Sequence, residues 1–150
     1  MTKQDESAEL ISLYSSIFTA ADAHDWDRCK ACFVDEPHID YSSLNGQPGS
    51  KTKVDDLIGA WRSFLPKFKF TLHYLTNHRV NIAGDKATAS CYGHAIHNLP
   101  DAPGGDLWGV YGTYDFELVR TPKGWLVGRL RYNHKYQDGN HRLPELASKA

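Results

Sequence analysis

The residues with the most chemical promise in this sequence are two histidines near the open ends of one hairpin. The stretch from Phe70 to His97 reads as two strands joined by a tight turn at Ala83-Gly84-Asp85-Lys86, with His73 near one open end and His97 at the other. A three-residue turn, Gly84 to Lys86, sets His73 directly across from His97, so that two imidazoles meet on one face. A two-residue turn puts them on opposite faces unless a bulge compensates, because side chains alternate with a period of two. An imidazole with its ordinary pKa of ~6.5 can accept and return a proton near neutral pH, which suits general acid–base chemistry. Asp22 is a second candidate. It closes an amphipathic helix, where a carboxylate opposes the helix dipole and needs either solvent or a partner such as a histidinium.

Other polar clusters lead elsewhere. His94-Ala-Ile-His97 lies on a strand, where an odd separation sends the two rings to opposite faces, and no Cys or carboxylate completes a tetrahedral set, so no metal site is expected. Cys29-Lys-Ala-Cys32 has a redox or zinc spacing without a second pair, and with Trp26 and Phe33 it reads as the buried side of a short helix. His24, His78, His134 and His141 have no partner pattern and read as surface or rim residues. The glycines at 46, 49, 104 and 105 do not join a strand to a helix start, so they are not phosphate loops.

Several elements must position these groups. Leu10, Leu13, Tyr14, Ile17, Phe18 and Ala21 recur at helical spacing and predict a helix over 7–23 ending at Asp22. Asp25 caps a shorter helix through about Phe33, and His38 to Ser43 gives a brief strand. Thr52 and Asp55 resemble a capping box for a third helix, with Val54, Leu57, Ile58, Trp61, Phe64 and Leu65 on one face until Pro66. After the central hairpin, the loop Leu99 to Asp106 is placed to flank a pocket mouth. Leu107–Arg120 and Trp125–Tyr136 form a longer hairpin, and the polar tail from Gln137 to Ala150 is expected to fray apart from a docked Leu143 and Leu146. Ala87, Ala89, Cys91, Gly93 and Ala95 share the face that ends in His97, and this row of small side chains leaves room for a helix or a ligand.

Three helices followed by antiparallel strands make an α+β arrangement, a curved, mostly antiparallel sheet wrapped around helices as a cone. A chain of 150 residues supports one domain over 1–150. A net charge of −1 gives no electrostatic footprint for nucleic acid or an anionic membrane. The start Met1-Thr-Lys-Gln-Asp-Glu-Ser lacks the apolar core of a signal peptide, no stretch is long and apolar enough to span a bilayer, and three cysteines cannot pair completely. A cytoplasmic protein is the expectation.

On these residues the sequence resembles the nuclear-transport-factor-2-like (NTF2-like), or SnoaL-like, superfamily, and within it scytalone dehydratase and related dehydratases. Asp22-Ala-His-Asp25-Trp26-Asp27-Arg28 resembles the end of the first helix, whose first Asp is catalytic. Ile39-Asp40-Tyr41 is similar to the strand carrying a substrate-orienting tyrosine, Leu72-His73-Tyr74 and His97 match the two catalytic histidines, and Trp125 resembles a strand start near the family's end. The chain departs from the pattern at Ala21, where the family has a second tyrosine. It departs again at Thr113 and Asp115, where the family's serine and asparagine bind substrate.

The resemblance implies a cofactor-independent dehydratase acting on a small cyclic or aromatic hydroxy-ketone. His97 takes the α-proton with Asp22 fixing its tautomer and raising its basicity, His73 assists the leaving hydroxyl, and Tyr41 donates to the carbonyl oxygen. Thr113 and Asp115 contact a small hydrophobic or aromatic substrate. The competing readings are a ketosteroid-isomerase-like isomerase or polyketide cyclase, in which nothing leaves, and a non-catalytic binding domain on the same cone. Trp108, Val110, Tyr114, Phe116 and Leu118, read as the outer sheet face, predict a homo-oligomer, and the resemblance implies a trimer if it follows scytalone dehydratase or a dimer if it follows the wider superfamily.

Overall fold

The computed structural model describes residues 2–149; Met1 and Ala150, the latter in the tail expected to fray, lie outside them. Helix α1 (Lys3–Asp22) begins earlier than the hydrophobic period indicates, because Thr2 and Asp5 form a reciprocal capping box. Thr2 Oγ1 accepts from the Asp5 N–H at 3.1 Å, and the Asp5 carboxylate accepts from the Thr2 N–H at 3.0 Å. Asp25 caps α2 (Trp26–Lys30), which stops short of Phe33. Phe33 instead opens strand β1 (Phe33–Asp40), which is longer and earlier than the strand expected at 38–43. Pro37 has no N–H to donate, and the ladder of this strand is irregular between Phe33 and His38.

A short α3 (Ser42–Asn45) and β2 (Ser50–Lys51) follow, then α4 (Val54–Phe64) and a 3-10 turn containing Pro66. Lys53, not Thr52, occupies the cap of α4, and no side chain caps it. The central hairpin is β3 (Phe70–Ala83) and β4 (Lys86–Asn98), the second is β5 (Leu107–Thr121) and β6 (Gly124–Gly139), and α5 (Leu143–Ser148) closes the chain. The tail is therefore ordered, docked by Leu143 and Ala147, with Leu146 only half-buried. Among the described residues no helix is long and apolar enough to cross a membrane.

The six strands form one sheet in the order β2-β1-β6-β5-β4-β3, antiparallel throughout except where β1 runs parallel to β6. Helices α1 and α4 lie on its concave face, giving the α+β cone. The core between them includes Leu10, Tyr14, Ile17, Phe116, Val127 and Leu130, all 0–1% exposed. Burial of each such side chain is worth about 1.5–3 kcal/mol. Cys29 and Cys32 are buried free thiols that burial pushes up to about 12 and about 11, so the pair belongs to the core and not to a reactive motif.

The face assignment on β5 is corrected by this packing. Trp108, Val110, Tyr114, Phe116 and Leu118 point into the core, and Thr113, Asp115 and Glu117 alternate outward. The exposed aromatic surface on the convex side is a different one. Tyr74, His94, Tyr111 and Tyr136 run across β3 to β6 with ring centroids 5.6, 4.0 and 4.5 Å apart, flanked by exposed Leu72 and Tyr92.

Candidate active site

The central hairpin brings His73 and His97 to one face by a route other than a three-residue turn. Ala83 pairs with Lys86, so the turn has two residues, Gly84 and Asp85. Between Thr76 and Arg79 the register slips, because Asn77 and His78 together face one residue of β4. Asn77 takes a left-handed φ of 56° to make this bulge. Beyond it the pairing is Thr71 with His97 and His73 with Ala95, so the two rings sit diagonally on the concave face, 6.4 Å between centroids.

Asp22 finds its partner on β3. Its Oδ1 accepts from His73 Nδ1 at 2.7 Å and from Thr71 Oγ1 at 2.8 Å, and its Oδ2 accepts from the His73 backbone N–H at 2.9 Å. These three donors answer the charge left at the carboxyl end of α1. The expected Asp22–His97 pair is therefore replaced by Asp22–His73. One turn back along α1, Phe18 packs its ring on His73 at 5.1 Å and holds the imidazole from the other side. Because Nδ1–H donates to the carboxylate, the neutral ring presents Nε2 as its free lone pair.

His97 is 6% exposed and has a different environment. Its Nδ1 donates to the backbone carbonyl of Trp108 at 3.3 Å, and the rings of Phe68 and Trp108 lie 5.1 and 4.4 Å away. Burial, with the nearby His73 second, pushes its pKa down to about 4 against small opposing effects of the Trp108 carbonyl and Asp22. This reverses the expectation that a neighbouring acid makes His97 the stronger base.

Both histidines line an apolar cavity of about 220 Å³. Phe18, Ala21, Trp61, Phe64 and Leu65 form its helical side, and Ala95, Trp108, Val110, Tyr114 and Tyr132 its sheet side. Tyr41 and Leu44, from the segment after β1, complete the lining, and the loop from Leu99 to Asp106 takes no part. The lining holds no Lys, Arg, Asp or Glu among the described residues.

Thr113 and Asp115 are not at this cavity; both are bonded on the convex face by Asn133 Nδ2, at 3.2 and 2.8 Å. Sequence reasoning missed Tyr114 and Tyr132. Tyr132 bonds His134 Nδ1 at 3.2 Å, and its ring lies 5.9 Å from Tyr41 and 5.1 Å from Tyr114. Burial raises the phenol of Tyr114 well above its ordinary range, and does the same for Tyr41. Gly93 is the signal that could have located Tyr114. A Cβ at Gly93 would lie 2.2 Å from the Tyr114 ring, so the small-residue row admits this ring as well as α1. His78 also has a partner, the buried phenol of Tyr14 at 2.6 Å.

Known proteins match the chain along most of its length. The sequence profile of the SnoaL-like domain matches residues 4–131. The Kfla4162 protein from Kribbella flavida, a crystal structure, is 32% identical, superposes with a TM-score of 0.87, and covers 99% of this chain and 100% of its own. The uncharacterized protein Rv2910c of Mycobacterium tuberculosis is 32% identical over 133 residues, 83% of this chain and 80% of that protein. A candidate scytalone dehydratase from Novosphingobium aromaticivorans, 18% identical with a TM-score of 0.76 over 92% of this chain and 88% of its own, shares the fold. With the concave sheet, the end of α1 and the profile match in agreement, the chain belongs to the SnoaL-like domain family, on the NTF2-like fold.

Proposed function

We propose that the protein is a cofactor-independent lyase that removes water from a small, neutral cyclic or aromatic hydroxy-ketone, with Asp22 and His73 as its proton-transfer centre. The orientation of His73 carries this reading: its Nδ1–H donates to Asp22, which leaves Nε2 as the free lone pair of a ring that lines an apolar cavity. In the reaction, Nε2 takes the proton α to the carbonyl, and the electron pair of that C–H bond passes through the enolate into the new C=C bond. The C–O bond to the hydroxyl breaks, Nε2 returns the proton to the departing oxygen, and one water leaves with His73 neutral again. Asp22 balances the imidazolium in between, and a single positioned group of this kind contributes ~10²–10⁴-fold. Tyr41, whose phenol burial keeps protonated, donates to the carbonyl oxygen as charge develops there.

The lining also supports the substrate class. Without a cation it offers nothing to a carboxylate or phosphate, and its aromatic walls favour a ring. The dehydration in the name of the Novosphingobium neighbour is consistent with elimination on this fold. The test is a panel of one- and two-ring β-hydroxy ketones followed by mass spectrometry, with His73→Ala and Asp22→Asn compared with the wild type. Loss of one water, a drop in kcat of roughly 10³-fold or more for His73→Ala and a smaller drop for Asp22→Asn are expected. A product of unchanged mass would indicate an isomerase, and an undiminished rate in His73→Ala would remove this histidine from the mechanism.

A further inference from the structure

His97 has no role in the proton transfer described above, yet it is a polar side chain more than nine-tenths buried at the cavity wall. Its single hydrogen bond within the described residues runs from Nδ1 to the Trp108 carbonyl. A carbonyl only accepts, so Nδ1 must carry the proton, and in the neutral ring Nε2 is then an acceptor with no protein partner. The tilted rings of Phe68 and Trp108 hold the imidazole in this pose.

From this geometry we infer that His97 is a specificity-determining residue that accepts a hydrogen bond, through Nε2, from a hydroxyl of the substrate other than the one eliminated. The two hydroxyls are separated by chemistry. A departing hydroxyl needs a donor at its oxygen, whereas an acceptor on its hydrogen makes it a poorer leaving group, so the group read by His97 stays on the ring. The ring remains an acceptor throughout turnover, because a proton on His73 repels a second one on His97 and burial opposes it independently. The substrate class narrows accordingly, to a neutral ring compound with a retained phenolic or alcoholic O–H beside its ketone. An analogue without that donor leaves a buried acceptor unpaired, which is how such a site rejects it.

The inference rests on the cavity being the substrate site but not on the reaction performed there, so it is tested by binding, and failure of the elimination assay would not decide it. The cavity exceeds the ~150 Å³ void that holds benzene, and β-naphthol with its β-fluoro analogue, which cannot donate, is a suitable pair of probes. Titration followed by tryptophan fluorescence should give the naphthol a roughly 10- to 100-fold tighter Kd in the wild type, and His97→Leu should abolish that preference. Nitrogen NMR of histidine-labelled wild-type protein supplies a reading that does not depend on the variant folding. The His97 Nε2 signal should be that of an unprotonated nitrogen at about neutral pH and should move on addition of the naphthol. Equal affinities, a preference that survives in His97→Leu, a protonated Nε2, or no binding of either probe would each overturn the inference.

Discussion

Acid should destabilise this protein in part through one side chain. His97 is enclosed by the rings of Phe68 and Trp108, with His73 as the nearest titratable neighbour and Asp22 beyond it. Its pKa falls from 6.5 to about 4 on folding, so between those values the unfolded chain binds a proton that the folded chain refuses. Stability therefore rises with pH across this window and is lost as pH falls through it. The full coupling is about 3 kcal/mol, of which about 2 kcal/mol is expressed between about pH 7 and about pH 5. That is a large part of the ~5–15 kcal/mol total of an ordinary domain. Urea unfolding, followed by the fluorescence of Trp26, Trp61, Trp108 and Trp125, measures it in wild type and His97→Leu. The variant should be weaker at neutral pH, since the Trp108 carbonyl loses its donor, but should lose about 2 kcal/mol less on acidification. Parallel stability curves would refute the neutral, buried His97.

Two further predictions concern other parts of the sheet. Gly93→Ala drives a Cβ into the Tyr114 ring, so it should cost about 1–3 kcal/mol in a denaturant titration and weaken binding of ring compounds in the cavity. Oligomerisation, where it occurs, should use the convex aromatic band. Leu72→Glu combined with Tyr92→Glu should then lower the mass seen by sedimentation while leaving the circular dichroism spectrum unchanged, and an unchanged mass from an oligomeric wild type would exclude this face.

The sequence carried the fold class, because strand periodicity and the end of a helix are local signals, whereas the shared face of the two histidines was legible only on condition of a three-residue turn or a bulge, and it is the bulge that supplies it. Asp22 could be recognised as needing a partner from the dipole alone. Which histidine it meets could not, since that depends on how α1 is rotated over the sheet, and the rotation is fixed by the packing of Phe18, Tyr114 and Phe116. The β5 faces were legible in pattern but not in sign. Trp108, Val110, Tyr114, Phe116 and Leu118 alternate with Thr113 and Asp115 in either orientation, and the family resemblance favoured the polar set as inward. The default that an apolar row faces the core was the better guide there, and Gly93 was its local confirmation. The bulge had no comparable signal, because Asn77 adopts its left-handed backbone only in the pairing that forms around it.

That surplus residue at 77–78 makes the hairpin a matched pair of parts. A tight Gly84-Asp85 tip alone would send one imidazole indoors and the other out to solvent, and the extra residue halfway along reverses the parity just before the chemistry begins. Lengthening the tip by one residue, or excising Asn77, would each invert one arm of the ladder, whereas making both changes together would restore it. Tip length and bulge can therefore change only in concert if both rings are to share one chamber.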